Sequence, residues 1–150
     1  MDTSLNGRVA LITGGSKGLG LAMAKAYYLA GAKVAILARD AEALSTAEAE
    51  IQAMSVTDDA KDNCAIASFV CDVTDPKAII STHKTVVEKL GNIDILVNNA
   101  GQSAAKPFTK ITDDEWQADL DLKLMAAVRL TRLVWPNMAE QQWGRVINLL

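Results

Sequence analysis

Several features are scarce in this chain of 150 residues, and each scarcity closes off a class of function. No apolar run approaches the ~20 residues that a membrane-spanning helix needs. The start, MDTSLNGR, is polar and offers neither a signal peptide nor an anchor. Together these features predict a cytoplasmic protein with no membrane partner. Basic residues hold no majority: 15 Lys and Arg stand against 18 Asp and Glu, a formal net charge of -3. Nucleic-acid binding usually shows as a basic stripe, so no nucleic acid is expected as a partner. Cysteine is limited to Cys64 and Cys71, which lack metal-ligand spacing, and no metal site is predicted. Their odd separation sends them to opposite faces of a strand. They therefore cannot pair with each other, and they read as small hydrophobes. Internal repeats, low-complexity tracts and linkers are missing as well. What remains is an ordinary half-hydrophobic composition, enough for one domain and one core.

The chain alternates short apolar runs with helical stretches. RVALI (8–12), KVAILA (33–38), AIASFV (65–70), DILV (94–97) and RVINLL (145–150) read as buried strands. A helix over 18–30 carries Leu19, Met23, Ala26 and Leu29 at helical spacing and stops at Gly31. Asp40 caps a second helix with Leu44, Ala47, Ile51 and Met54 on one face, and SVTDDAKDN follows as a polar loop. Asp75-Pro76, a cap followed by proline in the first turn, opens a third helix. Its apolar side holds Ile79, Ile80, His83, Val86, Val87 and Leu90, and Gly91 ends it. Thr112 and Glu115 form a capping-box pattern at the head of a long fourth helix that runs towards Met138. Pro136 is a bend signal near its end.

Strands alternating with helices predict an α/β protein: a doubly wound parallel sheet of Rossmann type, covered on both faces. Right-handed crossovers then give the strand order 3-2-1-4-5. The fifth strand would leave a bare apolar edge, which soluble proteins normally avoid. Residues 1–150 are therefore expected to be an incomplete dinucleotide-binding domain, truncated after the fifth strand.

The stretch TGGSKGLG (13–20) lies where the first strand becomes the first helix. Helix N-terminal N–H groups and the macrodipole favour a pyrophosphate there. Glycines let the backbone turn sharply and approach phosphates without a Cβ in the way. The spacing, from Gly14 through Gly18 to Gly20, is neither G-x-G-x-x-G nor a P-loop. A tight turn without a ligand is the alternative. Charge after the second strand selects the dinucleotide. An acid there would bond the adenosine ribose 2′-OH and repel a phosphate. The chain instead has Ala38 followed by Arg39, with Lys17 in the glycine loop. A guanidinium and an ammonium converging near the ribose suit a 2′-phosphate, so NADP(H) is preferred over NAD(H). Asp40 could reach the ribose with one more residue of turn, but it reads as the helix cap.

With these residues in view, the sequence resembles the short-chain dehydrogenase/reductase family, of the TGxxxGxG kind rather than the extended TGxxGxxG kind. Four stretches match in order: TGGSKGLG, CDVTD after the third strand, NNAG after the fourth, and the long helix ending before WGRVINLL. The overall look is similar to 3-oxoacyl-carrier-protein reductase-like members. The resemblance implies that Gly14, Gly15, Ser16, Lys17, Gly18, Leu19 and Gly20 wrap the phosphates and adenosine ribose. It places Asp72 and Val73 at the adenine, and Asn99, Ala100 and Gly101 beside the nicotinamide ribose. Asn98 would tie neighbouring strands together.

Lys123 departs from the family pattern. It falls on one helical stripe with Trp116, Leu120, Ala127, Leu130 and Val134, where a lysine is costly unless its amine finds a partner or water. The resemblance implies an asparagine here that orders water behind the active site, so Lys123 is a candidate catalytic-site residue in that supporting role. The alternative is a lysine snorkelling at the stripe's margin. The family's serine, tyrosine and lysine, which hold the substrate oxygen and move the proton, would fall after Leu150. Tyr27 and Tyr28 are no substitutes, because neither begins a Tyr-x-x-x-Lys. His83 reads as a packed histidine. Trp116, Trp135 and Trp143 are either core filling or anchors of a homo-oligomer formed through the long helix.

Two functions are thus expected. One is the N-terminal part of an NADP(H)-dependent oxidoreductase that moves hydride between nicotinamide and a small carbonyl or alcohol substrate, inactive without its Ser-Tyr-Lys part. The other is a non-catalytic dinucleotide-binding module or self-associating fragment.

Overall fold

The computed structural model describes residues 4–102 and 105–149. Five strands, β1 (Val9–Thr13), β2 (Lys33–Ala38), β3 (Ala65–Val70), β4 (Ile95–Asn98) and β5 (Arg145–Asn148), form one sheet in the order β3-β2-β1-β4-β5. Every neighbouring pair is parallel. The connections are α1 (Gly18–Leu29), α2 (Ala41–Gln52), α4 (Pro76–Leu90), α5 (Asp113–Leu120) and α6 (Ala126–Glu140). A single-turn helix, α3 (Asp58–Lys61), lies within the stretch expected to be only a polar loop. β1 and β4 each begin one residue later than the hydropathy pattern suggests, and residue 150 lies outside the described residues.

The pleat sends alternate residues of β1 to opposite faces. Val9 and Leu11 join Leu37, Leu96, Ile79, Val86, Leu130 and Val134 in one core layer. Ala10 and Ile12 join Val34, Ile36, Leu44, Ile51, Ile95 and Val97 in the other. Cys71 packs with the first layer and Cys64 against the second, so the two thiols do lie on opposite sides of the sheet. β3 is an edge strand, and the Glu48 carboxylate of α2 accepts from the Ser68 N–H at 2.9 Å and from its hydroxyl. A charged side chain thus occupies a backbone donor that would otherwise be open to strand pairing.

Two helical faces differ from expectation. In α1 the buried line is Gly20, Ala24 and Tyr28, while Leu19 and Leu29 are exposed. The first turn of the helix packs directly on the glycine turn before it, so a residue without a Cβ is needed at Gly20. In α4, Ile80 points outward and Thr82 is buried on the core side with Ile79, Val86 and Leu90.

The long fourth helix is not a single α-helix. A π turn over Asp121–Met125 separates α5 from α6. That turn holds one residue more than an α turn, so it rotates the helical register. After it, Ala126, Leu130, Val134 and Met138 form an i, i+4 line into the core. Before it, Trp116 and Leu120 remain exposed. The expected stripe therefore does not exist as one face, and Lys123, on the π turn, is not core-facing.

At the amino ends of the strands, buried Asp94 accepts from the Val9 N–H (2.9 Å), Gln141 Nε2 (2.8 Å) and Arg8 Nη1 (3.4 Å). The guanidinium carbons of Arg8 and Arg145 lie 3.7 and 4.7 Å from the ring centroid of Trp143. Such cation–π contacts hold the start of β5 to the rest of the sheet. Trp143 is thus a core-side residue, whereas Trp135 is exposed. The opposite ends of the strands, where the order reverses between β1 and β4, stay open to a ligand.

Candidate functional site

Thr13 ends β1 and organises the turns around it. Its buried hydroxyl donates to the Val97 carbonyl (3.4 Å) and accepts from the N–H groups of Asn99 and Ala100 (2.9 Å each). Asn99 returns the link: its Nδ2 donates to the carbonyls of Thr13 (3.0 Å) and Gly14 (3.2 Å). The turn after β1 is thereby stapled to the turn after β4, across the point where the strand order reverses.

The glycines make this staple possible. Gly14 has φ +64°, in the left-handed region. A Cβ on Gly20 would stand 2.3 Å from the Gly14 carbonyl oxygen and 2.5 Å from Asn99 Nδ2. α1 therefore starts in direct contact with the turn it follows. Lys17 occupies the N-cap of α1 without a side-chain bond, and the first turn holds no acid. By contrast, α2, α4 and α5 are capped by Asp40, Asp75 and the Thr112–Glu115 box. The leading N–H groups of α1 lack such an internal acceptor, and a helix end in that condition attracts an anion.

A cleft of about 820 Å³ runs along these strand ends. Gly14, Ser16 and Lys17 line it from the first turn, and Ala38, Arg39 and Asp40 from the second. Cys71, Asp72 and Val73 follow β3; Asn99, Ala100, Gly101 and Gln102 follow β4; Leu122 reaches in from the π turn. The sequence-derived set is thus largely gathered in one place. Gly15 and Gly20 lie buried beneath the turn, whereas Gly18 and Leu19 are exposed beside it and do not line the cleft.

The individual roles are partly different from the expected ones. Asp40 does cap α2, accepting from the N–H groups of Glu42 and Ala43 at 3.0 Å each, while also lining the cleft. Asn98 ties β4 to β5 through Asn148 (2.8 Å). Asp72 Oδ1 accepts from the Thr74 N–H (2.9 Å) and hydroxyl (2.7 Å). Those two bonds hold the Asp72 carboxyl below the usual carboxylate range, and the Arg39 charge acts in the same direction. Lys123 Nζ is 2.9 Å from Asp119 Oδ1, and both side chains are more than a third exposed. Its Cε lies 3.9 Å from where a Gly101 Cβ would be, so the lysine stem runs beside the NNAG turn.

His83, Tyr27 and Tyr28 do not line the cleft. Burial pushes the His83 pKa down and both phenols up. Among the described residues no cluster of three His, Cys, Asp or Glu could hold a metal ion, and no helix is long and apolar enough to cross a membrane. Thr13 as the hub, and Leu37, Ala43, Cys71, Gln102 and Leu122 as lining, escaped the sequence reading. Thr13 was visible as the first letter of TGGSKGLG, and Gln102 directly follows NNAG. Leu122 carried no signal, because only the π turn aims it at the cleft.

Comparison with known proteins agrees with this geometry. The profile of the family described as short chain dehydrogenase matches residues 8–150. D-threitol dehydrogenase of Mycolicibacterium smegmatis is 31% identical over 148 residues, covering 99% of this chain and 54% of the relative. The 3-oxoacyl-[acyl-carrier-protein] reductase FabG of Salmonella typhimurium is 33% identical over 146 residues, covering 97% and 55%. The chain thus spans about half the length of these curated relatives. The crystal structure of L-sorbose reductase from Gluconobacter frateurii, complexed with NADPH and L-sorbose, superposes with a TM-score of 0.87 at 33% identity. That match covers 99% of this chain and 54% of the other. With the profile spanning nearly every residue and the parallel sheet in the expected order, the chain belongs to the short-chain dehydrogenase family.

Proposed function

We propose that residues 1–150 are the cofactor-binding part of an NADP(H)-dependent oxidoreductase that interconverts a small carbonyl compound and its alcohol. The observation that carries this reading is the cleft itself. It is bounded at one side by the uncapped N-terminus of α1, where Lys17 sits, and at the other by Arg39, which follows β2. The tight packing of Gly14 and Gly20 against Asn99 holds the N-terminus of α1 directly beside the cleft, where a pyrophosphate is favoured.

In this reading the turn formed by Gly14, Gly15, Ser16, Lys17 and Gly18 embraces the phosphates, with Leu19 and Gly20 setting the start of α1. Arg39 and Lys17 hold the 2′-phosphate. Asp72 and Val73 flank the adenine, and Asn99, Ala100 and Gly101 the nicotinamide ribose. The commitment of Asn99 Nδ2 to two carbonyls makes that residue the anchor of its turn, so its contact with the ribose comes through the turn it fixes. The bound dinucleotide supplies the hydride chemistry, and the protein supplies position and a proton. Lys123, beside the NNAG turn, supports the substrate end. Residues 1–150 hold no Tyr-x-x-x-Lys, so this segment by itself is expected to bind cofactor without turnover.

Cofactor choice is tested by titrating NADPH and NADH into wild type and Arg39→Ala. A charge-assisted bond to phosphate contributes about 1.5–3 kcal/mol, so Arg39→Ala is expected to weaken NADPH at least about tenfold and to leave NADH nearly unchanged. Equal effects on both cofactors would remove the argument for a 2′-phosphate.

A second copy of the chain is the proposed partner of the long helix. Leu120, Leu124, Val128 and Trp135 leave an apolar strip exposed along α5, the π turn and α6. Contiguous exposed apolar surface marks an interaction site, and most homo-oligomers close by two-fold symmetry, apposing the same patch. The double variant Leu124→Glu, Val128→Glu should sediment as a monomer at concentrations where wild type associates. Unchanged association would place the contact elsewhere.

A further inference from the structure

A second cavity, of about 410 Å³, adjoins the cofactor cleft and shares Gln102 and Leu122 with it. One wall is apolar: Trp116, whose ring meets that of Phe108 edge-on with centroids 6.3 Å apart, together with Ile111 and Leu122. The rest is ionic. Lys123 pairs with Asp119 at 2.9 Å, and Lys106 pairs with Glu115. Four charged groups of balanced sign thus face a space within the usual size of ligand pockets, roughly 300–1,000 Å³.

The lining decides what fits. An acyl chain would find the Trp116 wall but would return no hydrogen bond to the charged groups opposite it. A lone anion would meet as many carboxylates as ammonium groups. A hydroxyl group both donates and accepts, whereas a lysine only donates and a carboxylate only accepts. Two hydroxyls on neighbouring carbons present a donor and an acceptor side by side, at about the separation of Lys123 Nζ from Asp119 Oδ1. They can bind across the pair without breaking it, and Gln102 offers both an amide donor and an acceptor at the junction with the cleft. The carbon skeleton of such a ligand would rest against the indole of Trp116, which offers a broad apolar face.

We infer that this cavity binds a small polyhydroxylated ligand, a vicinal diol or sugar alcohol, held between Lys123 and Asp119 against Trp116. Taken with the proposed oxidoreductase, it names the substrate class and the subsite next to the nicotinamide end. The binding itself needs neither cofactor nor turnover, so its failure is separable from failure of the cofactor reading.

The test is ligand-observed NMR with sorbitol and, as a probe of matched carbon chain without vicinal hydroxyls, hexanol. Wild type should give saturation transfer to sorbitol and little to hexanol. Lys123→Met keeps the stem and removes the donor, and Asp119→Asn keeps the shape and removes the charge. Each should weaken sorbitol binding about tenfold, the effect of losing roughly one charged hydrogen bond. Circular dichroism would verify that both variants remain folded, and a misfolded one is replaced as probe by the other. Preference for hexanol, no sorbitol binding to wild type, or sorbitol binding unchanged in a folded variant would each overturn the inference. An NADPH titration run in parallel reports the neighbouring cleft independently.

Discussion

Gly20→Ala is expected to weaken the proposed dinucleotide binding strongly, even though alanine is the better helix former. Two effects compete. Within a helix, alanine in place of glycine gains about 0.8–1.0 kcal/mol. Against this, the new methyl would sit 2.3 Å from the Gly14 carbonyl oxygen and 2.5 Å from Asn99 Nδ2. The first of those atoms belongs to the backbone and cannot swing aside. Overpacking of this kind costs about 1–3 kcal/mol or more, so the steric term wins. Relief comes only by moving α1 away from the Gly14 turn or by breaking the Asn99 bonds, and both disturb the anion-binding end of the helix. A loss of NADPH affinity of about a hundredfold, some 2.7 kcal/mol, is expected in calorimetric titration, together with a lower melting temperature. A variant that binds normally and melts higher would mean that helix propensity dominates and that the contact between α1 and the turn is dispensable.

Thr13→Val is expected to have the largest effect on stability among changes near the cleft. Valine keeps the branched shape of the side chain, so packing in the strand is preserved. The hydroxyl alone is lost, and with it the acceptor for the Asn99 and Ala100 N–H groups. Leaving a buried donor unsatisfied costs about 1–3 kcal/mol. The donors Asn99 and Ala100 are only partly buried, so the pair is expected to cost about 2–4 kcal/mol in total rather than the full sum. For a chain of this size each kcal/mol lowers the melting temperature by about 2–4 °C, so a fall of roughly 5–15 °C should appear in thermal scans. Thr13→Ser keeps the hydroxyl and loses only a methyl, so it should recover most of that fall. If valine and serine behaved alike, packing rather than the hydroxyl staple would hold the two turns together.

Much of the fold was legible before any coordinates. The strands are short apolar runs bounded by glycine, aspartate and asparagine, and their buried faces demand cover on both sides. Parallel order and handedness then leave few topologies. The caps at Asp40, Asp75 and Thr112 were readable because each uses a local bond between a side chain and an amide two or three residues ahead. The cleft residues were readable for a related reason. They follow the carboxyl ends of strands, and strand ends are visible in sequence.

Other features were not legible. The inner face of α1 was misplaced because hydrophobic spacing picks out Leu19 and Leu29, whereas the contact of Gly20 with the Gly14 turn sets the rotation of the helix and brings Ala24 and Tyr28 inward. The stripe through Lys123 failed because it assumed one continuous α-helical period, and the π turn at Asp121–Met125 shifts the phase partway along. No propensity in DLKLM announces that turn. The role of Asn99 was seen only in part. Its place in NNAG marks the site, but the use of its amide to hold the Gly14 turn depends on where β1 and β4 lie in space.

The sequence by itself determined the alternation of strands and helices, the order of the sheet, the glycine turn and the charges at Lys17 and Arg39. These rest on local chemistry and on periodicities that a linear chain displays. The tertiary structure alone decided that Thr13 fastens two turns separated by more than eighty residues. It also decided that the stem of Lys123 runs beside Gly101, and that a second cavity opens against the first. Those outcomes depend on which distant residues the parallel sheet and the π turn bring within hydrogen-bond reach, and no local pattern in the chain encodes such distances.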